Sequence, residues 1–340
     1  MGVQVTDLQF LRDQLLLRRG KLQSASHNHT ASGELAQAET ANLVQLLEQV
    51  DKALDRLELG RYGICEVCQG EVETERLLAD PLTRVCLECL RPAEARALER
   101  DLELAASIQM GLLPKQDLSA GGWNVSYHYD PAGAVSGDYC DVVTHGPDLY
   151  FMLGDVSGKG VAASMLMANL HAMFRALVPS GLPLHELLER ANRIFCESTL
   201  PTQYATLICG KAKQDGEVEI SNSGHLAPLH VSSSEIKQLE SSTVPVGLFS
   251  DQKFAPMKIS LSTGDILVLY TDGVTESLSP DGAEYGVDRL SRIIAECQAR
   301  SSSGLVQHCI SDVLAFRASA QKTDDQTLMV LRFDPNGVAI

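Results

Sequence analysis

The stretch Leu149-Tyr150-Phe151-Met152-Leu153-Gly154-Asp155-Val156-Ser157-Gly158 joins an apolar run directly to an aspartate in a glycine-rich turn. A short apolar run bounded by glycines predicts a buried strand, so we expect Asp155 at a strand end. Three other segments place aspartates beside short apolar runs: Ser136-Gly137-Asp138, Tyr270-Thr271-Asp272-Gly273-Val274 and Asp324-Asp325-Gln326-Thr327. Carboxylates are typical ligands of hard divalent cations such as Mg²⁺ and Mn²⁺. The pattern predicts a hydrolase whose nucleophile is a metal-activated water.

The segments between these motifs predict an α+β fold. From Trp123 onward, short apolar strands and turns alternate, and helices are expected over 161–177 and 183–197. Strand meanders with helices between them form layered domains, in which strand ends meet at one edge of the sheets. Two cations a few ångströms apart can be held at such an edge, with the Val156 carbonyl as an additional oxygen ligand. The predicted carboxylate ligands are Asp138, Asp155, Asp272 and Asp324.

Four of the nine cysteines form two C-x₂-C pairs separated by seventeen residues: Cys65 and Cys68, then Cys86 and Cys89. This spacing is typical of a structural zinc site with four thiolate ligands. The alternatives are a redox-active C-x₂-C or two unrelated pairs. The other cysteines are dispersed, and we expect them to be reduced thiols: Cys140, Cys196, Cys209, Cys297 and Cys309.

Two apolar seams precede the cysteines. The first consists of Leu8, Leu11, Leu15 and Leu22, and the second of Leu43, Leu47, Val50, Leu54 and Leu57. Spacings of three and four residues predict two helices. The polar segment Ser24–Gly33 predicts a turn between them, which makes the pair an antiparallel hairpin. His27 and His29 in this turn are interpreted as solvated loop residues rather than as another metal site.

A further helix is expected over 93–113, because Pro114 ends it. Its first apolar seam contains Leu98, Leu102, Ala105 and Leu112, with Gln109 in one slot; Leu104 and Ile108 form a second stripe. A helix with two apolar faces can pack on its own domain and on a second copy. A polar residue in such a seam can fix the register of a dimer. We interpret this helix as a dimer-forming linker that carries a signal, the alternative being a simple spacer.

The formal net charge of −16 argues against nonspecific binding to DNA or RNA. We expect no membrane span, because no apolar run approaches the roughly 20 residues that a bilayer requires. The first twenty residues contain Asp7, Arg12 and Asp13 among leucines, unlike a signal peptide. A cytoplasmic protein is the simplest interpretation.

Other catalytic motifs are not apparent in the sequence. Gly158-Lys159-Gly160 lacks the spacing of a phosphate-binding P-loop, and Lys159 can meet a substrate phosphate or remain solvated. No Ser–His–Asp, Cys–His or C-x₅-R arrangement is found. His225, in Asn222-Ser223-Gly224-His225, is a candidate proton donor, although a histidine with structural hydrogen bonds is the favoured interpretation.

Residues 34–91 resemble the DksA/TraR zinc-finger family. The matching residues are Gly60-Arg61-Tyr62-Gly63-Ile64-Cys65-Glu66-Val67-Cys68, Arg76-Leu77, Ala79, Pro81 and Cys86-Leu87-Glu88-Cys89. Members of that family can bind RNA polymerase and act through acidic residues at the hairpin tip. The predicted tip of this chain contains no Asp or Glu. We therefore interpret the module as a scaffold for sensing or dimerisation.

Residues 101–335 resemble the SpoIIE/RsbU branch of the metal-dependent serine/threonine phosphatases, the PPM family. The matching segments are 107–114, 136–141, 154–160, 222–225, 245–248, 270–276 and 324–327. The resemblance implies a PPM-type β-sandwich flanked by helices, with Mn²⁺ or Mg²⁺ at one edge. It matches Asp138, Asp155, Asp272 and Asp324 to metal ligands, with Asp324 preferred to Asp325 by motif position. Cys140 stands where the family often has an aromatic residue, a change that we expect to be tolerated.

These observations predict three parts: a helical hairpin with a zinc finger over 1–91, a linker helix over 92–116 and a phosphatase domain over 117–340. The predicted activity is removal of phosphate from serine or threonine of a regulatory protein. The resemblance points to anti-anti-sigma (STAS) proteins as substrates. A homodimer through the linker helix and the N-terminal domain is expected, without direct nucleic-acid or membrane binding. Two hypotheses compete: a transcription regulator that binds RNA polymerase, and a non-catalytic phosphoprotein scaffold.

Overall fold

The chain forms two compact units, Met1–Asp101 and Leu102–Ile340, and each is described by itself. The computed structural model describes residues 8–9, 11–20, 23, 37–90, 92–200, 202–233, 235–240, 243–297 and 300–335. The predicted hairpin tip, residues 24–33, lies outside these ranges, and so do its two histidines.

The N-terminal unit is helical around a small apolar core. Its helices are α1 (helical over 11–20), α2 (Gln37–Glu58) and α3 (Thr74–Ala79). One buried cluster contains two predicted positions from each seam: Leu11, Leu15, Val50 and Leu54. The same cluster contains residues from the segment with the cysteine turns: Tyr62, Cys65, Leu77 and Cys86. The helical seams therefore pack against each other as expected. Leu22 and the side chain of Leu43 lie outside the described part of the chain.

The predicted linker helix is α4 (Pro92–Leu112), which ends two residues before Pro114. Proline lacks a backbone N–H and restricts the residue before it, which explains the end of the helix. The second predicted stripe faces solvent in the C-terminal unit, where Leu104 is 60% and Ile108 is 59% exposed. In contrast to this exposed stripe, the C-terminal end of the helix is packed, because Leu112 contacts the core of that unit.

Two antiparallel sheets form the centre of the C-terminal unit. In strand order, the first contains β1 (Asp117–Ala120), β2 (Trp123–Asp130), β11 (Gln326–Phe333), β10 (Ile266–Tyr270), β7 (Leu229–Val231) and β8 (Ile236–Gln238). The second contains β3 (Asp138–His145), β4 (Asp148–Val156), β5 (Ala205–Ala212), β6 (Glu217–Ser223) and β9 (Met257–Ser260).

Alternate residues of these strands fill separate apolar layers, because successive side chains point to opposite faces of a sheet. Along β4, Phe151 and Leu153 join a cluster between the two sheets, whereas Tyr150 and Met152 face a helical layer. The helices on this side are α5 (Gly160–Leu177) and α6 (Leu184–Ser198). On the other sheet lie α8 (Val287–Cys297) and α9 (Ser302–Arg317). The predicted α+β sandwich flanked by helices is confirmed.

Helix α5 bears on the expectation that the chain has no membrane span. By length and composition alone, Gly160–Ser180 is apolar enough to cross a membrane. Its residues Met167, Leu170 and Phe174 are buried in the cluster against the second sheet. A core helix of a folded domain passes the same test, and packing of this buried face accounts for part of the apolar composition.

Candidate active site

The β3–β4 hairpin places two predicted ligands directly opposite each other. Asp138 and Asp155 are Cα partners in the register of this pair. Opposed residues of antiparallel strands have Cβ atoms about 5 Å apart, and like charges there destabilise the sheet. Asp138 lies on the same face of β3 as Cys140 and Val142, which are buried between the sheets. Both carboxylates therefore lie at the end of the gap between the two sheets.

The other sheet brings its aspartates to the same end. Asp272 begins the short helix α7 (Asp272–Thr275) directly after β10, and Asp324 lies just before β11. Strands β10 and β11 are paired up to Tyr270 and Leu328, so their adjoining ends are neighbours. The structure thus brings the four predicted carboxylate segments to one edge of the sandwich.

Two threonines that the sequence analysis did not single out connect the sheets at this edge. The hydroxyls of Thr271 and Thr327 donate to Oδ2 of Asp138 over 2.9 and 2.5 Å. Both threonines are fully buried, and Asp138 is 1% exposed. The hydrogen bonds fix the orientation of a carboxylate that burial would otherwise penalise. Both threonines lie within the aspartate motifs, beside Asp272 and Gln326, and this position in the sequence could have identified them as site residues.

The adjacent residues Asp324 and Asp325 have different surroundings. The carboxylate of Asp325 accepts hydrogen bonds from the backbone N–H groups of Ala132 and Gly137, over 2.7 and 2.8 Å. Asp324 Oδ2 instead accepts from Nζ of Lys159 over 2.9 Å. Asp325 holds the loop before β3, whereas Asp324 is paired with the exposed ammonium group of Lys159.

Burial and mutual repulsion change the acidity of this group. Burial raises the pKa of Asp138 well above its ordinary value, and the charge of Asp155 raises it further. Burial, followed by the charges of Asp272 and Asp324, raises the pKa of Asp155 to about 7. Burial and the charge of Asp324 also raise the pKa of Asp272. Repelling carboxylates at a partly buried edge create a site in which a bound cation is favourable.

Two glycines allow the ligand segments to approach closely. A Cβ on Gly137 would lie 3.3 Å from the Val156 carbonyl oxygen and 3.4 Å from Asp155 Oδ1. A Cβ on Gly273 would lie 1.9 Å from the Asp325 carbonyl oxygen, which excludes any side chain without backbone movement. Both glycines have ordinary backbone angles, so close approach rather than a left-handed turn explains them.

His225 is a structural residue. Its Nε2 lies 3.1 Å from the Tyr270 carbonyl oxygen and its Nδ1 lies 2.7 Å from Oγ1 of Thr206. A carbonyl only accepts, so Nε2 carries the proton and the threonine hydroxyl donates to Nδ1. Burial lowers the pKa of His225 to about 4. The favoured interpretation of this histidine agrees with the structure.

The four predicted zinc ligands of the N-terminal unit converge on one point. The Sγ atoms of Cys65, Cys68, Cys86 and Cys89 all lie within 4.8 Å of one another. A tetrahedral zinc site with Zn–S bonds of about 2.3 Å separates its sulfurs by roughly 3.8 Å. The backbone amides of Gly70 and Cys86 donate to Sγ of Cys68 and Cys65, each over 3.4 Å, which favours the thiolate form. This donor set fits zinc.

The carboxylate edge is less compact. Within the described ranges, one group of three or more His, Cys, Asp or Glu side chains has all of its ligand atoms within 4.8 Å of one another. That group is the cysteine cluster. The aspartates are spread more widely.

The family profile for Stage II sporulation protein E (SpoIIE) matches residues 145–334, more than half of the chain. The chain belongs to the SpoIIE family. The SpoIIE-family part is similar to "Phosphoserine phosphatase RsbU" of Bacillus subtilis, with 25% identity over 238 residues, 69% of this chain and 70% of RsbU. The family and the phosphatase class predicted from the sequence are confirmed.

Solved structures support the same fold for this SpoIIE-family chain. The SiaA-PP2C domain of Pseudomonas aeruginosa has a TM-score of 0.63 at 16% identity, over 71% of this chain and 98% of that domain. The RsbU and RsbW domains of Rv1364c from Mycobacterium tuberculosis have a TM-score of 0.57 at 25% identity, over 66% of this chain and 63% of that one.

A second profile, the prokaryotic DksA/TraR C4-type zinc finger, matches residues 60–95 outside the SpoIIE match. The matched range contains all four clustered cysteines. The resemblance predicted for the N-terminal region of this SpoIIE-family chain is therefore confirmed as well.

Proposed function

We propose that the chain is a metal-dependent protein serine/threonine phosphatase that acts on a phosphorylated regulatory protein. The observation that supports this most is the carboxylate edge, where Asp138 and Asp155 face each other in register and Asp272 and Asp324 reach the same end of the sandwich. Besides burial, the charge of Asp155 raises the pKa of Asp138, and the charges of Asp272 and Asp324 raise the pKa of Asp155. Divalent cations would relieve that repulsion.

The proposed metal ligands are Asp138, Asp155, Asp272 and Asp324, with the Val156 carbonyl as a further oxygen donor. Oxygen donors of this type suit Mn²⁺ or Mg²⁺. When bound, two such cations lower the pKa of a water between them and neutralise charge on the phosphoryl group. Thr271 and Thr327 orient Asp138, and Asp325 holds the preceding loop through its backbone amides.

Among the described residues, Cys140 and His225 are poor candidates for the nucleophile and the acid. Cys140 lies between the sheets, where burial raises the pKa of its thiol well above the ordinary value. Both nitrogens of His225 have hydrogen-bond partners, and the ring is neutral at pH 7 because its pKa is about 4. Water is therefore the proposed nucleophile: it would attack the phosphorus, the bond from phosphorus to the serine or threonine oxygen would break, and the two protons of the water would end on the alcohol and the phosphate.

The proposed substrate is a phosphorylated anti-anti-sigma protein of the STAS type in a partner-switching pathway. Two Bacillus subtilis relatives, RsbU and RsbP, are phosphoserine phosphatases by name. In Rv1364c an RsbU domain and an RsbW domain occur together. The chain spans 70% of RsbU but 48% of RsbP, so the activity of the whole protein is part of the proposal.

We assign the N-terminal region a regulatory role, with structural Zn²⁺ bound by Cys65, Cys68, Cys86 and Cys89. The division into 1–91, 92–116 and 117–340 follows the zinc module, the linker helix and the phosphatase domain. The exposed stripe of Leu104 and Ile108 provides an apolar surface for a homodimer. A cytoplasmic location without nucleic-acid or membrane binding completes the proposal.

The test is hydrolysis of p-nitrophenyl phosphate by the full chain in EDTA, Mg²⁺ or Mn²⁺. Asp272→Asn removes a proposed ligand, and Asp251→Asn, at an exposed loop position, is the matched control. We expect metal-dependent turnover in wild type and control, with a loss of about 10³-fold in Asp272→Asn, since bound metals contribute several kcal/mol.

If the wild type binds Mn²⁺ in calorimetry but does not hydrolyse p-nitrophenyl phosphate, it is next assayed on a serine-phosphorylated STAS protein. Absence of turnover there, with retained binding of the phosphoprotein, would favour the scaffold hypothesis. A pull-down of RNA polymerase by the full chain, lost when the cysteines are replaced, would favour the transcription-regulator hypothesis.

A further inference from the structure

Gln109 is the polar residue in the apolar seam of α4, and the structure gives it a role other than dimer register. The residue is 5% exposed and lies within the C-terminal unit. Its Nε2 donates to the Ser136 carbonyl over 2.8 Å, and its Oε1 accepts from the Ser136 backbone N–H over 2.9 Å. One amide thus satisfies both backbone groups of a single residue, which fixes the two peptide groups that flank Ser136.

Ser136 transmits this constraint to a proposed metal ligand. Its Oγ accepts from the backbone N–H of Asp138 over 3.0 Å. Gln109, Ser136 and Asp138 therefore form a continuous chain of hydrogen bonds at buried positions. A shift of the amide on α4 would move the backbone from which the Asp138 carboxylate extends.

The loop before β3 depends on polar anchors of this kind. Residues 132–134 are exposed, and Val135 is the buried apolar residue of this stretch. Asp325 binds the N–H groups of Ala132 and Gly137, and Nζ of Lys322 donates to the carbonyls of residues 130 and 131. These two anchors come from the segment before β11, whereas Gln109 comes from α4.

The end of α4 is itself held firmly, so Gln109 has a fixed base. The Tyr127 hydroxyl donates to the Pro114 carbonyl over 2.7 Å. Leu112 packs against the α5 and α6 core. Ligand geometry is best maintained when supporting residues lie on rigid elements.

We propose that Gln109 is a positioning residue for Asp138: through Ser136, its amide sets the geometry in which Asp138 presents its carboxylate to a divalent cation. The inference rests on the proposed function. Loss of supporting hydrogen bonds around a metal site typically lowers metal affinity by about 10–100-fold. The metal concentration needed for activity rises, while turnover at saturating metal is largely retained.

The experiment uses the full chain with Gln109→Met, which keeps the length of the side chain and removes both hydrogen bonds. Met110→Leu is the matched control at the adjacent, exposed position. Amide hydrogen exchange of the segment 132–138 is measured in EDTA, and Mn²⁺ binding is measured by calorimetry. We expect at least about tenfold faster exchange and about tenfold weaker Mn²⁺ binding in Gln109→Met alone.

Should Gln109→Met fail to fold, Gln109→Asn serves as the second variant, because it keeps the amide but falls one methylene short of Ser136. Mn²⁺ affinity equal to wild type in a folded variant overturns the inference, whether or not exchange is faster. If wild type itself binds no Mn²⁺, the proposed function fails and the inference fails with it. If the wild type binds Mn²⁺ and hydrolyses substrate, and the variant has the same Mn²⁺ affinity and activity, the inference is rejected while the proposed function stands.

Discussion

The cysteine cluster and the carboxylate edge are both candidate metal sites, but they are built in opposite ways. The four sulfurs converge within 4.8 Å on turns of one short segment, whereas the aspartates arrive from two sheets and repel one another. A closed set of four thiolates leaves no ligand position for a substrate. A wider, unsatisfied set of carboxylates keeps room for water and phosphate. In this chain, compactness separates the metal site that holds a fold from the one suited to chemistry.

The largest expected effect follows from removing a thiolate. Cys86→Ser should unfold the N-terminal unit, because a structural zinc site contributes about 10–16 kcal/mol to the folding of such a module. The unfolding transition of the C-terminal unit should persist. Circular dichroism and hydrogen exchange of residues 37–90 measure the outcome, with Cys196→Ser of α6 as control. Unchanged protection in Cys86→Ser would contradict a structural role for the cluster.

Removing a carboxylate should reduce activity rather than stability, the reverse of removing a thiolate. At pH 8, Asp155→Asn should stabilise the metal-free protein by about 1 kcal/mol, because it relieves repulsion with Asp138 across the strand pair. Metal-dependent turnover should fall by about 10³-fold. Thermal unfolding in EDTA and phosphatase assays in Mn²⁺ measure the two effects. A strongly destabilised metal-free variant would show that the carboxylate edge holds the fold as the cysteines do.

Gly273→Ala tests how tightly the carboxylate segments must pack. The new Cβ would lie 1.9 Å from the Asp325 carbonyl oxygen, so one segment must move. We expect a loss of about 3 kcal/mol in the free energy of unfolding, together with weaker Mn²⁺ binding. Gly111→Ala is the control, since nothing lies within 4 Å of its Cβ position, and it should be slightly stabilising. Wild-type unfolding and Mn²⁺ affinity in Gly273→Ala would argue against this packing constraint.

The smallest expected effect is on pH dependence. The pKa of Asp155 is raised to about 7, so the group is protonated below that pH and must release its proton when a cation binds. Mn²⁺ affinity should therefore fall by up to about tenfold per pH unit below pH 7 and level off above it. Calorimetry at pH 6 and pH 8 tests the sign. Affinity that is constant across this range would mean that Asp155 is ionised before binding.

Much of the phosphatase fold could be predicted from local patterns. Apolar runs beside glycine and aspartate predicted β4, β10 and β11, and the proline at 114 predicted the end of α4. The short edge strands β1, β8 and β9 were not predicted, because their residues are half-exposed and carry little apolar periodicity.

The candidate site was predictable in its composition but not in its contacts. The motifs indicated which aspartates carry the chemistry, yet the register that opposes Asp138 and Asp155 is set by tertiary pairing. Gln109 was expected to fix a dimer, and its partner instead lies in a loop of the same unit. Periodicity shows that a polar residue interrupts a seam, but it does not identify the backbone group that the residue binds.

The hydrogen bonds from Thr271 and Thr327 to Asp138 have a kinetic consequence. The β3–β4 hairpin can bring Asp138 and Asp155 together early, because their contact is local in sequence. These two threonines reach Asp138 only when the two sheets have docked. A cation that requires ligands from both sheets stabilises the docked state more than a transition state in which docking is incomplete. Bound Mn²⁺ should then slow unfolding while leaving the rate of folding nearly unchanged.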